Sequence, residues 1–219
     1  MELGDNNILF TINSNIKFCD ITVPKAVKSL NDVGIYDLKV IIGGANREQD
    51  DGDRYYTTYD SCDYTTFNYI VDYPDKFKDY THIFYMHDTC WVGPRFRELF
   101  EQHTPKSQVK GYLLTHYPSM NIGLYKVQDL VDSPDRVRRS LNTDNSQEGI
   151  NKAKQWGASN EDYLNAKNGF YCPIGSDQVT MENVYGTDTK RRTRYFPCLD
   201  FYKSQSNWEG VKEEMSVRV

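Results

Sequence analysis

The chain has 219 residues, 26 of them Lys or Arg and 31 Asp or Glu, for a formal charge of −5. Aromatic residues make up 14% of it, enough large apolar side chains to build a core and too many for an acidic disordered chain. That charge argues against a general nucleic-acid binder, which needs a concentrated basic surface. No apolar run approaches the length of about 18 residues that a membrane span requires, and the opening MELGDNNILF has no basic region leading into such a run. A cytoplasmic protein with no membrane span is therefore expected. The five cysteines (Cys19, Cys62, Cys90, Cys172 and Cys198) are scattered, odd in number and without a CxxC pair. They read as reduced, mostly buried thiols rather than a disulfide framework or a zinc site.

Residues 8–12 (ILFTI) predict a short strand that stops at the polar turn Asn13-Ser14-Asn15. Pro24 is suited to the first helical position of a segment carrying Val27 and Leu30 on one side. Residues 38–42 (LKVII) predict a second strand, rich in β-branched side chains and halted by Gly43-Gly44. The polar and acidic stretch 45–60 reads as an exposed loop. Asp60 then offers a helix cap, Asp63 adds a carboxylate near the positive helix end, and Tyr64, Phe67, Ile70 and Val71 recur at helical spacing before Pro74.

The segment THIFYMHD from Thr81 is apolar on both faces, as in a strand buried between helix layers, and ends abruptly in His87-Asp88-Thr89-Cys90. Pro94 opens a short helix presenting Phe96, Leu99 and Phe100, and residues 109–115 (VKGYLLT) predict another strand. Strand, crossover helix and strand in succession imply an α/β fold with a mostly parallel central sheet flanked by helices. Beyond Phe170 an irregular extension is expected. The whole chain, 1–219, reads as one domain, with residues 1–120 as the cofactor-binding half and 121–219 as the remainder.

Ligands of open parallel sheets bind beyond the carboxyl ends of the strands, here residues 11–13, 43–46 and 87–89. Neighbouring strand residues point to opposite faces, so His87 and Asp88 reach one ligand together only if the chain turns between them. Asp88, nearest the turn, is the favoured working group. With diphosphate oxygens and waters completing the shell, it suits Mg²⁺ or Mn²⁺. The plainer reading makes Asp88 a cap on the amides of Thr89 and Cys90 and His87 a packed ring. A Cys90 nucleophile would need His103 or His116 as its base. IIGGAN is no dinucleotide fingerprint, so Gly43 and Gly44 read as tight strand-end geometry open to close ligand approach. No Walker sequence is present. The run Lys190-Arg191-Arg192 with Arg194 either grips a diphosphate or is a solvated surface. Asp144, Glu148, Asp177 and Glu182 are available as a catalytic base.

Taken in order, FTINSN, VIIGGAN, the capped helix and THIFYMHDT resemble the nucleotide-binding half of GT-A fold glycosyltransferases. The similarity extends to the small single-domain glycosyltransferases of large algal DNA viruses, which modify capsid protein, and it spans roughly residues 7–125. By this resemblance Thr11 and Asn13 cup the base and ribose of a nucleotide sugar. Asp88, matched within His87-Asp88-Thr89, holds Mn²⁺ or Mg²⁺ on the diphosphate, with His87 as a further ligand or a sugar contact; Gly43, Gly44, Thr89 and Arg191 are the other donor-binding candidates that the residues offer. The family's Asp-x-Asp is His-Asp-Thr here, with one carboxylate in place of two. The segment 120–125 (MNIGLY) is similar to the stretch behind the donor sugar. The implied reaction is sugar transfer from a UDP-sugar to a glycan or glycoprotein acceptor, and among the available acids Asp177 and Glu182 are the candidates for its base. Two other classes remain open: a metal-dependent phosphoesterase or nucleotidyltransferase, and a non-catalytic carbohydrate- or protein-binding module using the Tyr and Trp side chains.

Overall fold

The computed structural model describes residues 1–60, 64–104, 111–113, 122–132, 134, 179–182, 192–197 and 199–205. Its elements follow the chain as β1 (Glu2–Leu3), β2 (Asn6–Asn15), α1 (Cys19–Asp32), β3 (Leu38–Gly43), β4 (Gln49–Asp50) and β5 (Arg54–Tyr56). Then come α2 (Thr65–Asp72), a 3₁₀ turn at Pro74–Lys76, β6 (His82–His87), β7 (Cys90–Val92), α3 (Phe96–His103) and β8 (Gly111–Leu113). The described part ends with β9 (Gly123–Lys126), α4 (Val127–Val131), β10 (Val179–Glu182), β11 (Arg192–Phe196) and β12 (Phe201–Gln205).

The main sheet runs β4-β5-β3-β2-β6-β9-β8, with β1 also paired to β2. Its middle, β5-β3-β2-β6, is parallel, and the edge pairs β4/β5, β6/β9 and β9/β8 are antiparallel. The fold is thus mixed α/β with a largely parallel central sheet between helices. Alternation along β2 sorts the core into two layers. Ile8, Phe10 and Ile12 join Leu38, Val40, Ile42, Phe84 and Met86 beneath α1 and α3. Leu9 joins Ile41, Ile83 and Tyr85 beneath α2. Phe10 lies at the middle of the first layer, with ring centroids 5.3 Å from Phe84, 6.1 Å from Phe96 and 5.3 Å from Phe100.

Several local expectations give way to tertiary contacts. The polar triplet Asn13-Ser14-Asn15 is strand, not turn, because β3 pairs with β2 as far as Asn15 and β6 as far as Asn13. Ladder hydrogen bonds on both sides outweigh the turn preference of Asn and Ser. Helix α1 starts five residues before Pro24, which sits exposed inside it. The missing N–H there withdraws one bond from the Asp20 carbonyl, a loss tolerable on a solvated face. Residues 45–60 are not all loop: β5 extends the parallel sheet and buries Tyr55. Asp60 is not the cap of α2, whose N-cap position is Tyr64 with no side-chain cap bond, and Asp63 lies outside the described residues. β8 joins the sheet antiparallel, through β9, rather than by a parallel crossover.

Nor are the described later segments irregular. β10, β11 and β12 form an antiparallel sheet in the order β10-β11-β12-β7. β7 leaves the main sheet immediately after the Asp88 turn and pairs with β12 through Val92–Phe201, Trp91–Tyr202 and Cys90–Lys203. One face of this second sheet sends Cys90, Val92, Phe196 and Phe201 into the first core layer. The other carries the stacked rings of Trp91 and Tyr202, 5.5 Å apart and nearly parallel at 3°.

The turn between β11 and β12 is tied to the start of α3. The Gly93 N–H donates to the Asp200 carbonyl at 2.7 Å, the Arg95 N–H to Asp200 Oδ2 at 3.0 Å, and the Tyr195 hydroxyl to Asp200 Oδ1 at 3.2 Å. A Cβ at Gly93 would run into the Asp200 carboxylate. Gly93→Ala should therefore lower unfolding stability by about 1–3 kcal/mol, the usual range for forced overpacking. Urea denaturation measures it, and an unchanged midpoint would show that this knot does not hold the two sheets together.

Candidate functional site

Strands β2, β3 and β6 end together, and their last residues form one polar edge. Asn13 pairs with His87, Ser14 with Ile42, and Asn15 with Gly43. The pairing continues one step past β6, where the Asp88 N–H donates to the Asn13 carbonyl at 3.0 Å. The chain then reverses into β7. The side chains of this edge divide between the two layers, following the alternation of the strands.

On the α1 side, the hydroxyls of Ser14 and Thr22 both donate to Asp88 Oδ2 at 2.6 Å. Thr22 Oγ1 also lies 3.1 Å from the Phe18 carbonyl. A hydroxyl has one proton, and the shorter contact to the carboxylate takes it. Distances of 2.6 Å are those of charge-assisted O–H···O⁻ bonds. Asp88 is 1% exposed. A buried carboxylate without donors would be penalised by several kcal/mol, a cost these two hydroxyls offset. Together they tie β2, α1 and the end of β6 to one oxygen atom.

On the α2 side, Asn13 Oδ1 accepts the Thr66 N–H at 3.0 Å and the Thr66 hydroxyl at 2.8 Å. Thr66 is the second residue of α2, so Asn13 caps that helix from a distant strand. The His87 ring faces this layer too, 5.5 Å from the Tyr85 ring. His87 and Asp88 therefore project to opposite sides of the sheet.

Between them, Asn15 Nδ2 donates to Asp60 Oδ1 at 3.0 Å, and the Gly44 N–H donates to the Tyr59 carbonyl at 2.7 Å. Gly44 has φ of 76°, and a Cβ on Gly43 would lie 2.6 Å from the Tyr59 carbonyl. Both glycines serve the close passage of the segment after β5. Burial and a hydrogen bond to Asp72 push the Tyr59 phenol far above its ordinary range.

The edge thus gathers Asn13, Gly43, Gly44, His87, Asp88 and Thr89. Thr11 is fully buried two residues further in, its hydroxyl 3.4 Å from the Phe84 carbonyl. Glu182 lies on β10, three strands from β7, or about 14 Å at ordinary strand spacing. Asp177 and Arg191 lie outside the described residues. Of the stretch 120–125, residues 123–125 lie in β9, antiparallel to β6, and residues 120 and 121 lie outside the described residues. Burial pushes the Cys90 thiol up to about 12, with the Lys203 charge acting downward and Asp88 upward. Such a thiol holds its proton and is a poor nucleophile at neutral pH.

Asp88 offers a hard oxygen donor at this edge, while no group of three His, Cys, Asp or Glu side chains able to hold a metal occurs among the described residues. That donor fits an ion that brings most of its own shell, as Mg²⁺ or Mn²⁺ does on diphosphate oxygens and water. Ser14, Thr22 and Lys203 escaped the sequence reading. Alternation would have put Ser14 opposite Asn13, but Thr22 was hidden by a helix start placed at Pro24, and Lys203 by a strand pairing with no local signature.

Thr22→Val, which keeps the shape and removes the hydroxyl, should destabilise the fold by about 1.5–3 kcal/mol, the range for a bond to a charged group. Thr22→Ser should stay near the parent. Equal denaturation midpoints for Thr22→Val and the parent would remove the clamp from the account. No protein-family model matches the chain, and no curated protein sequence matches it either.

Proposed function

We propose that the protein is a glycosyltransferase moving a sugar from a nucleotide diphosphate donor, a UDP-sugar, to the hydroxyl of a glycan or glycoprotein acceptor. The observation that carries this reading is the position of Asp88: a buried acid at the carboxyl edge of the parallel strands, held by two hydroxyls. The edge is where open parallel sheets take their ligands. The second sheet departs from the same turn, and in this reading it forms the acceptor side, as the resemblance to GT-A fold enzymes implies.

In this reading Asp88 would hold Mn²⁺ or Mg²⁺, which would supply charge neutralisation at the diphosphate. Ser14 and Thr22 keep the carboxylate aimed, the role that outer hydrogen bonds play around metal ligands. The strand-end backbone at Asn13, Gly43 and Gly44 lines the donor side. Transfer forms a bond from the acceptor oxygen to the sugar C1 and breaks the bond from C1 to the diphosphate, whose oxygen keeps the electron pair. A carboxylate base takes the acceptor proton, with Asp177 and Glu182 as its candidates.

Calorimetric titration with UDP, UDP-sugars and other nucleotide diphosphates, with and without Mn²⁺, tests the proposal. Binding should need Mn²⁺ and weaken at least about tenfold in Asp88→Asn, a loss in the range for removing a charged partner. Asp88→Asn retains an amide oxygen for the two hydroxyls, so its far-UV circular dichroism should match the parent. A parent protein that binds none of these compounds would overturn the reading and turn attention to protein or glycan partners.

A further inference from the structure

Alternation along β12 places Phe201 and Lys203 on one face and Tyr202 and Ser204 on the other. Phe201 enters the first core layer, beside Cys90 and Val92 and beneath α1. Lys203 is therefore a cation on the inward face of a sheet, a position where charge is rare unless the head group has a use or reaches water. It is half-buried.

The register brings this residue to the candidate site. Lys203 pairs directly with Cys90, two positions after Asp88, and the Ser204 N–H donates to the Thr89 carbonyl at 3.0 Å. The end of β12 is thus laid along the Asp88 turn. Directly opposed residues share a face with Cβ atoms about 5 Å apart. Asp88 takes its hydroxyl donors from α1 and β2, which places it in the same layer.

Lys203 has no carboxylate within ion-pair distance among the described residues. Ion pairs there include Lys28–Asp32, Lys76–Asp50, Arg95–Glu98, Arg97–Glu101 and the N-terminal ammonium with Asp37. A half-buried ammonium whose register partner lies two positions after a strand-end acid, with that acid bonded to hydroxyls, gives a mixed-sign pair of groups suited to an anion that also carries a metal ion.

We propose that Lys203 binds the diphosphate of the donor, on the α1 side of the strand edge and across from Asp88. This rests on the glycosyltransferase reading and adds to it the residue that meets the leaving group. As the bond from C1 to the diphosphate breaks, the ammonium stabilises the charge gathering on the departing oxygen. Arg would serve similarly, since the requirement is a fixed cation at that position.

The test is titration of the full chain and of Lys203→Gln, Lys203→Met and Lys203→Arg with UDP, inorganic pyrophosphate and uridine, each with Mn²⁺. Lys203→Gln should lose about tenfold or more for UDP and pyrophosphate, the effect of one charge-assisted bond, and nothing for uridine. Lys203→Arg should remain close to the parent, and Lys203→Met, which keeps the apolar stem, should repeat the Gln result if Gln disturbs folding. UDP affinity should also lose part of its dependence on ionic strength in the neutral variants. Parent-like UDP binding in the Gln and Met variants, with binding lost in Asp88→Asn, would overturn the role of Lys203 and leave the transferase reading in place. An equal loss for uridine would mark Lys203 as structural and overturn the proposal too. A parent that binds none of the probes would overturn both.

Discussion

A carboxylate buried at the end of a parallel strand has to be hydrogen-bonded, and the way Asp88 meets that requirement organises the molecule around it. Ser14 and Thr22 reach its Oδ2 from 74 and 66 residues away, each at 2.6 Å. Because both donors converge on one atom, the end of β6, the end of β2 and the first turns of α1 are held in a single arrangement. A polar group is more directional than the aromatic packing beneath it. Phe10, Phe84, Phe96 and Phe100 supply the apolar burial, while the carboxylate decides how the strand ends line up above them.

The same turn joins the two sheets. The chain passes from β6 through Asp88 and Thr89 into β7, which belongs to the antiparallel sheet. Asp200 secures the junction from the far side by bonding the backbone of Gly93 and Arg95, the latter 105 positions earlier in the chain. The candidate site lies where a parallel sheet that presents strand ends meets an antiparallel one that presents side chains from late in the sequence. Asn13 makes a matching tie on the opposite face by capping α2. Residues that a sequence reading assigns to a ligand are here also structural anchors, and a fold that needs them for its own hydrogen bonds holds them in fixed positions for any ligand.

Much of the first hundred residues was legible before folding was considered. β3 and β6 were readable as dense runs of apolar and β-branched side chains, and α3 as Phe96, Leu99 and Phe100 at helical spacing. The buried faces of these elements follow from near-neighbour periodicity. Legibility failed where the deciding contacts were remote. Asn13-Ser14-Asn15 has the composition of a turn and became strand because two partners flank it. Pro24 is a stronger local start signal than Cys19, so the local pattern does not show Thr22 as part of α1. The order of β10, β11 and β12, and their union with β7, has no local signature.

The amino-acid sequence by itself determined that the chain would build an α/β core around a buried strand ending in an acid, because such patterns depend on side-chain alternation and short-range sterics. Tertiary structure alone decided what that acid would touch. Whether Asp88 faces Thr22 or His87's layer, and whether Lys203 lies beside Cys90 or far from it, depends on strand register and on which helix covers which face. Those are set by pairing among distant segments, and a hydrogen bond of 2.6 Å is too short-ranged to be read before the pairing exists.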